Sequence, residues 1–144
     1  MATLIAADST VLVAALVGWH ERHEAAASAI DAALGRKTLL IAAPSLVETY
    51  AVLTSLPAHH RLVHADAYHL MKSSLATAKL AGPRTRDTWS AIRQWSVTPI
   101  GGADAHDAIL IDIVTDAGAK TLLTFRRQEL DRLASPGLEV QEPV

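Results

Sequence analysis

Cysteine is absent from the 144 residues, which excludes a disulfide framework and a thiolate metal site. Aromatic residues are scarce, with three Trp, two Tyr and one Phe. With 50% of the residues apolar, the core must therefore be built of Ala, Leu, Val and Ile. No apolar run approaches the roughly 20 residues of a membrane span. The N-terminal segment MATLIAADST has neither the basic stretch nor the cleavage site of a signal peptide. Both absences point to a soluble, cytoplasmic chain with no membrane partner. Charge of one sign is lacking as well: 13 basic and 15 acidic residues leave a formal net charge of −2. That excludes a strongly basic nucleic-acid binder but leaves room for a local basic patch. There is no internal repeat and no low-complexity linker. The length suits one domain spanning residues 1–144, large enough for a real core.

What is present is organised around Gly101–Thr124, GGADAHDAILIDIVTDAGAKTLLT. A Gly-Gly break opens it, an apolar helix follows, Gly118 is placed as the left-handed C-cap, and Thr121–Thr124 ends it as a strand. Asp104 is expected as the N-cap of that helix, with Asp107 as its capping-box partner. Most of the helix circumference is apolar, so an acid on its first turn needs an explanation.

Elsewhere, short apolar runs alternate with helical segments. Strands are expected at Thr3–Ala7, Leu39–Ala43, about Ala76–Leu80, about Lys120–Thr124 and Leu138–Val140. Helices are expected at Val11–Val17, His23–Leu34, from Pro44 to about Ser55, Arg61–Ser74, Thr85–Trp95 and Glu129–Ala134. Trp89, Ile92 and Trp95 fall on one helical face, which reads as core or dimer contact. Buried strands alternating with helices predict an α/β fold whose mostly parallel sheet is covered on both faces. Right-handed crossovers then bring every strand's C-terminal end to one edge, where ligands bind. Asp8 ends the first strand, Glu48 lies about a helical turn beyond the second, and Thr124 ends a later one. Asp107 reaches that edge if the Gly101–Ala105 loop carries it there.

Three carboxylates gathered at one edge repel one another unless a cation sits between them. A hard divalent ion, Mg²⁺ or Mn²⁺, takes oxygen ligands and few protein carboxylates. Such an ion can activate a water and stabilise charge on a phosphate oxygen, which fits phosphodiester hydrolysis.

The order Asp8-Ser9, Ala43-Pro44-Ser45-Leu46-Val47-Glu48, His106-Asp107-Ala108-Ile109-Leu110 and Leu122-Leu123-Thr124 resembles a PIN-domain ribonuclease of the VapC toxin type. The resemblance spans nearly the whole chain, and its specificity lies in the set of motifs. It implies a three-layer α/β/α domain, metal-dependent RNA cleavage, a homodimer and a small VapB-type antitoxin partner. Carried over by position, Asp8, Glu48 and Asp107 match the family's catalytic, metal-holding acids. Ser9 and Thr124 match auxiliary hydroxyls. The chain departs from the pattern at Arg126, where the family commonly has an Asp or Asn. A guanidinium cannot bind a cation but can hold a phosphate bidentately. Asp104 is a possible substitute for the missing acid. If Arg126 points into the edge, it is expected to pair with Asp107 or Asp8.

Two other readings compete. One is a catalytically weak PIN-like module that binds RNA or protein, its metal site spoiled by Arg126. The other, a phosphotransferase built on Asp8-Ser9-Thr10, lacks a second aspartate two residues after Asp8. His20/His23 and His60/His64 have helical ligand spacing, yet no HExxH pattern accompanies them. Asp112 lies about 140° round the helix from Asp107, towards solvent or a partner. Lys72, Lys79, Arg84, Arg86 and Arg93 fall in one segment, as a solvated face or a phosphate-contacting rim.

Overall fold

The computed structural model describes residues 2–144. Its elements in chain order are β1 (Leu4–Ala7), α1 (Ser9–Leu16), α2 (His23–Gly35), β2 (Leu39–Ala42), α3 (Ala43–Leu53), α4 (His64–Leu75) and β3 (Lys79–Ala81). Then follow a 3₁₀ turn at Thr85–Asp87, α5 (Thr88–Val97), α6 (Ala103–Asp116), β4 (Ala119–Leu123), α7 (Arg127–Asp131) and β5 (Glu139–Gln141). The five strands form one sheet in the order β3-β2-β1-β4-β5, and every pairing is parallel.

Parallel strands need crossovers, and crossover helices cover both faces of the sheet, so the strands carry apolar residues on both sides. In β2, Leu40 and Ala42 pack with Ile111, Ile113 and Val114 of α6. The alternate residues Leu39 and Ile41 pack with Val11, Leu12, Ala26 and Ile30 of α1 and α2 on the other face. Ala6 and Leu122 face the α6 side, whereas Ala7 and Leu123 face α1 and α2. The result is the three-layer α/β/α arrangement expected from the sequence. A satellite cluster of Val13, Val17, Leu53, Ala67 and Met71 ties α1 to α3 and α4.

The strand order reverses between β1 and β4. The chain leaves β1 towards β2 and β3, then returns to lay β4 against the other side of β1. Beyond the C-terminal ends of two such strands a sheet opens into a crevice. Because α6 runs directly into β4, its N-terminus lies at that same edge.

Two local expectations are corrected. Asp104 is not the N-cap of α6: the helix starts at Ala103, capped by Gly102 at φ 59, with no side-chain cap bond. Glycine adopts that left-handed conformation without a Cβ clash, so the helix is capped two residues before an aspartate cap at position 104 would act. Asp107 accordingly is no capping-box partner. The Trp89/Ile92/Trp95 face is not core either, since α5 contributes no buried residue and Trp89 is 81% exposed. Gly118 takes the C-terminal left-handed position as expected, at φ 96. Among the described residues no helix is long and apolar enough to cross a membrane.

Candidate active site

The register of β1 and β4 sets the first contact. Ala7 pairs with Leu123, so the next residues, Asp8 and Thr124, stand side by side, with the Asp8 N–H donating to the Leu123 carbonyl at 3.0 Å. Side chains alternate along a strand, so both follow Ala6 and Leu122 towards the α6 face. There the Thr124 hydroxyl donates to Asp8 Oδ2 at 2.5 Å. Asp8 is also the N-cap of α1, its Oδ1 accepting from the Val11 N–H at 3.2 Å and from the Thr10 hydroxyl at 2.5 Å. Thr10 in turn accepts from the Phe125 N–H at 3.0 Å, which ties the start of α1 to the end of β4.

Asp8 is 3% exposed. Burial pushes its carboxyl above the usual carboxylate range, and the hydrogen bonds from Thr10, Thr124 and the Val11 backbone pull the other way. Each of those donors is neutral, so among the described residues the charge of Asp8 has hydrogen bonds but no ion pair.

Asp107, on α6, is buried. Both of its oxygens are taken by Arg126, whose Nη1 and Nη2 donate at 3.0 and 2.8 Å. Arg126 does point inwards, towards Asp107. The carboxylate hydrogen bond raises its already high pKa further, and it remains a cation. The Arg126 N–H also donates to Thr124 Oγ1 at 2.9 Å. Three consecutive residues, Thr124-Phe125-Arg126, therefore fasten the end of β4 to Asp8, Thr10 and Asp107.

Asp8, Ser9, Glu48, Asp107 and Arg126 line one cleft of about 430 Å³, with Pro44, Ser45 and His106 on its walls. Glu48 reaches it from the second turn of α3, which starts directly after β2 with no intervening loop. The sequence-predicted residues Asp8, Ser9, Glu48, Asp107 and Arg126 thus share a cleft, and Thr124 supports it from beneath. Asp104 does not join them: it takes a bidentate pair with Arg132 at 2.9 and 3.1 Å, so it does not stand in for the missing acid. None of Lys72, Lys79, Arg84, Arg86 and Arg93 lines the cleft. Arg84 instead lies 3.7 Å from Asp87 and 3.8 Å from Asp116. Thr10 is the residue that sequence reasoning missed. A hydroxyl two positions after an acid at a helix start is its only signal, and that pattern is common.

Chemically the cleft offers chiefly oxygen donors, from three carboxylates and two hydroxyls, the set that a hard divalent ion takes, with the His106 imidazole as the nitrogen donor on its wall. Among the described residues, no group of three His, Asp or Glu stands close enough to hold an ion as placed. The bidentate pairing turns both Asp107 oxygens onto Arg126. The donor chemistry fits Mg²⁺ or Mn²⁺, and at Asp107 an ion would compete with a side chain that is 41% exposed.

The PIN domain family model matches residues 5–127. Ribonuclease VapC40 of Mycobacterium tuberculosis is 37% identical over 121 residues, 83% of this chain and 84% of its own. Ribonuclease VapC27 of the same organism is 32% identical over 107 residues, covering 74% and 73%. Among solved structures, VapBC2 from Rickettsia felis bound to a promoter DNA fragment aligns with TM-score 0.68 at 12% identity, covering 99% of this chain and 100% of that one. Mycobacterium tuberculosis VapC20, a toxin that cleaves the sarcin-ricin loop, aligns with TM-score 0.64 at 16% identity, covering 91% and 96%. At those identities the structures speak for the fold alone.

Proposed function

The chain belongs to the PIN-domain family, and from that premise we propose that it is an endoribonuclease, the toxin half of a toxin–antitoxin pair, that hydrolyses RNA phosphodiester bonds at the Asp8/Glu48/Asp107 cleft. The observation that carries the reading is the meeting of these acids, from three separate elements, at the crevice where the sheet order reverses. The ribonuclease names of relatives above 30% identity support the activity.

Asp8, Glu48 and Asp107 would hold Mg²⁺ or Mn²⁺. When bound, such an ion supplies a nucleophilic water and a Lewis acid for the phosphate. The protein's own contributions are positional. Asp8 is held by Thr10, Thr124 and the Val11 N–H, so it meets a ligand in one orientation. Glu48, exposed on α3, can move to complete a ligand set. Ser9, at the start of α1 in the same cleft, is placed to orient a water or a phosphate oxygen.

The chain is further proposed to form a homodimer and to bind a small VapB-type antitoxin. Solved VapBC assemblies from Rickettsia felis and Salmonella typhimurium share this fold. A small reading frame beside this one, encoding a DNA-binding segment and a tail, would support the antitoxin partner, and its absence would count against it.

One observation favours a second reading, a catalytically weak RNA- or protein-binding module: Arg126 occupies both oxygens of a proposed ligand. A nuclease assay separates the two. A toxin ribonuclease cuts RNA when Mn²⁺ or Mg²⁺ is supplied and loses that activity with Asp8→Asn. A binding module retains RNA without cutting it.

A further inference from the structure

We propose that Arg126 is the cleft's own gate: its guanidinium holds Asp107 against a divalent ion, and once released it binds the RNA phosphate. The proposal rests on reading the cleft as a metal-dependent ribonuclease site and adds how that site is kept closed.

The geometry is a bidentate fork, Nη1 on Oδ1 at 3.0 Å and Nη2 on Oδ2 at 2.8 Å. A carboxylate held in this way gives the inner, syn lone pair of each oxygen to the guanidinium and leaves only the outer, anti pairs for an ion. A second cation beside Arg126 would also be repelled by it. Arg126 and a divalent ion therefore compete for Asp107.

The two partners differ in their freedom to leave. The Asp107 side chain is 9% exposed and sits on a helix packed into the core, whereas 41% of the Arg126 side chain is open to solvent. Release of the pair means that Arg126 swings out and Asp107 stays. The Arg126 backbone remains fixed, because its N–H donates to Thr124 Oγ1, itself bonded to Asp8. A freed guanidinium thus remains tethered at the mouth of the cleft, within a side chain's length of it.

Charge supplies the destination. The cleft is lined by three acids and one arginine. Three carboxylates, one divalent ion and one phosphate leave an excess of negative charge, which a single free guanidinium reduces. The same planar fork that fits Asp107 fits a phosphate. An acid at position 126 would strengthen the ion site and offer nothing to the phosphate. Arginine exchanges part of the ion affinity for a substrate contact.

The test begins with the metal-stripped full chain and Mn²⁺ alone, titrated calorimetrically into wild type, Arg126→Gln and Arg126→Lys. Removing the competitor is expected to tighten Mn²⁺ binding tenfold or more in Arg126→Gln. Arg126→Lys, which keeps the charge and loses the fork, should fall between the two and carries the test if the glutamine variant melts too early. Equal affinity in all three would overturn the gate while leaving the metal site standing. No Mn²⁺ binding in any of them would overturn the metal reading and the gate together. The hand-over is read with a cleavage-resistant 2′-O-methyl single-stranded RNA across a range of salt. One phosphate contact to a single strand contributes about 0.7 to the slope of log affinity against log salt. Mn²⁺ should steepen the slope in wild type by about that much more than in Arg126→Gln. Equal steepening in both would overturn the phosphate role.

Discussion

A carboxylate buried as deeply as Asp8 is costly, and here the cost is offset by two hydroxyls and a backbone N–H rather than by a cation. Burial still leaves its carboxyl raised. An acid whose folded pKa lies above its unfolded value destabilises the fold at higher pH, and that penalty disappears as pH falls through the folded value. Metal-free Asp8→Asn is therefore expected to melt above wild type at neutral pH. Asparagine remains a good N-cap, and its amide can donate to a threonine hydroxyl. The gap should close as pH is lowered towards the ordinary carboxylate range near about pH 4. Thermal melts of both chains over that interval check it, and a pH-independent gap would contradict the assignment of the strain to Asp8. At this scale the sequence was informative about acids as a set and about one partner. Asp8, Glu48 and Asp107 were each weak signals alone and readable together, and Arg126, which broke the family's pattern, was expected to pair with Asp107 or Asp8 if it pointed inwards. Thr10 was not legible, because its role depends on a register between residues more than a hundred positions apart.

The elements were legible where apolar periodicity was strong. β1, β2, α2 and α6 sit within a residue or two of their expected spans, because apolar runs such as LLIA, buried at all four residues, favour the interior. The weak places are those decided by tertiary contact. The last helix was expected at Glu129–Ala134 and forms at Arg127–Asp131. Its start is set by Arg126, whose side chain is committed to Asp107, and its anchor is Leu130, fully buried against the α6 side of the sheet. Two bidentate pairs, Asp104–Arg132 and Asp107–Arg126, also tie α6 to the residues that flank α7 at its two ends. Exposed ion pairs contribute little to stability, whereas truncating a buried leucine removes apolar contact and leaves a cavity. Leu130→Ala is expected to cost about 2–5 kcal/mol in urea unfolding. Arg132→Ala should leave the urea midpoint unchanged. Equal losses would mean that the ion pairs, not the core, hold α7. The face of Trp89, Ile92 and Trp95 on α5 left core and dimer contact open, because an amphipathic pattern marks a face to be covered without saying by what, and the fold excludes the core.

At the scale of the molecule, a mostly parallel sheet covered on both faces was implied by the alternation of strands and helices; the strand order, with its reversal between β1 and β4, was not. The surface was not legible. Val47, Tyr68 and Leu80 are 69%, 55% and 59% exposed and line an apolar groove of about 310 Å³ beside α3 and α4. Exposed apolar patches of this kind commonly mark interfaces, and they accord with the proposed two-fold dimer. Light scattering at micromolar concentration should report twice the 15.3 kDa chain mass, and a monomer without antitoxin would count against the dimer. The proposed cleavage of RNA in the crevice, through an ion held by its acids, is checked by incubating labelled single-stranded RNA with metal-stripped wild type and Asp8→Asn, before and after adding Mn²⁺. Intact RNA is expected without the ion, cleavage by wild type when it is added, and none by Asp8→Asn. Cleavage that persists in the stripped protein, or that survives Asp8→Asn, would contradict that proposal.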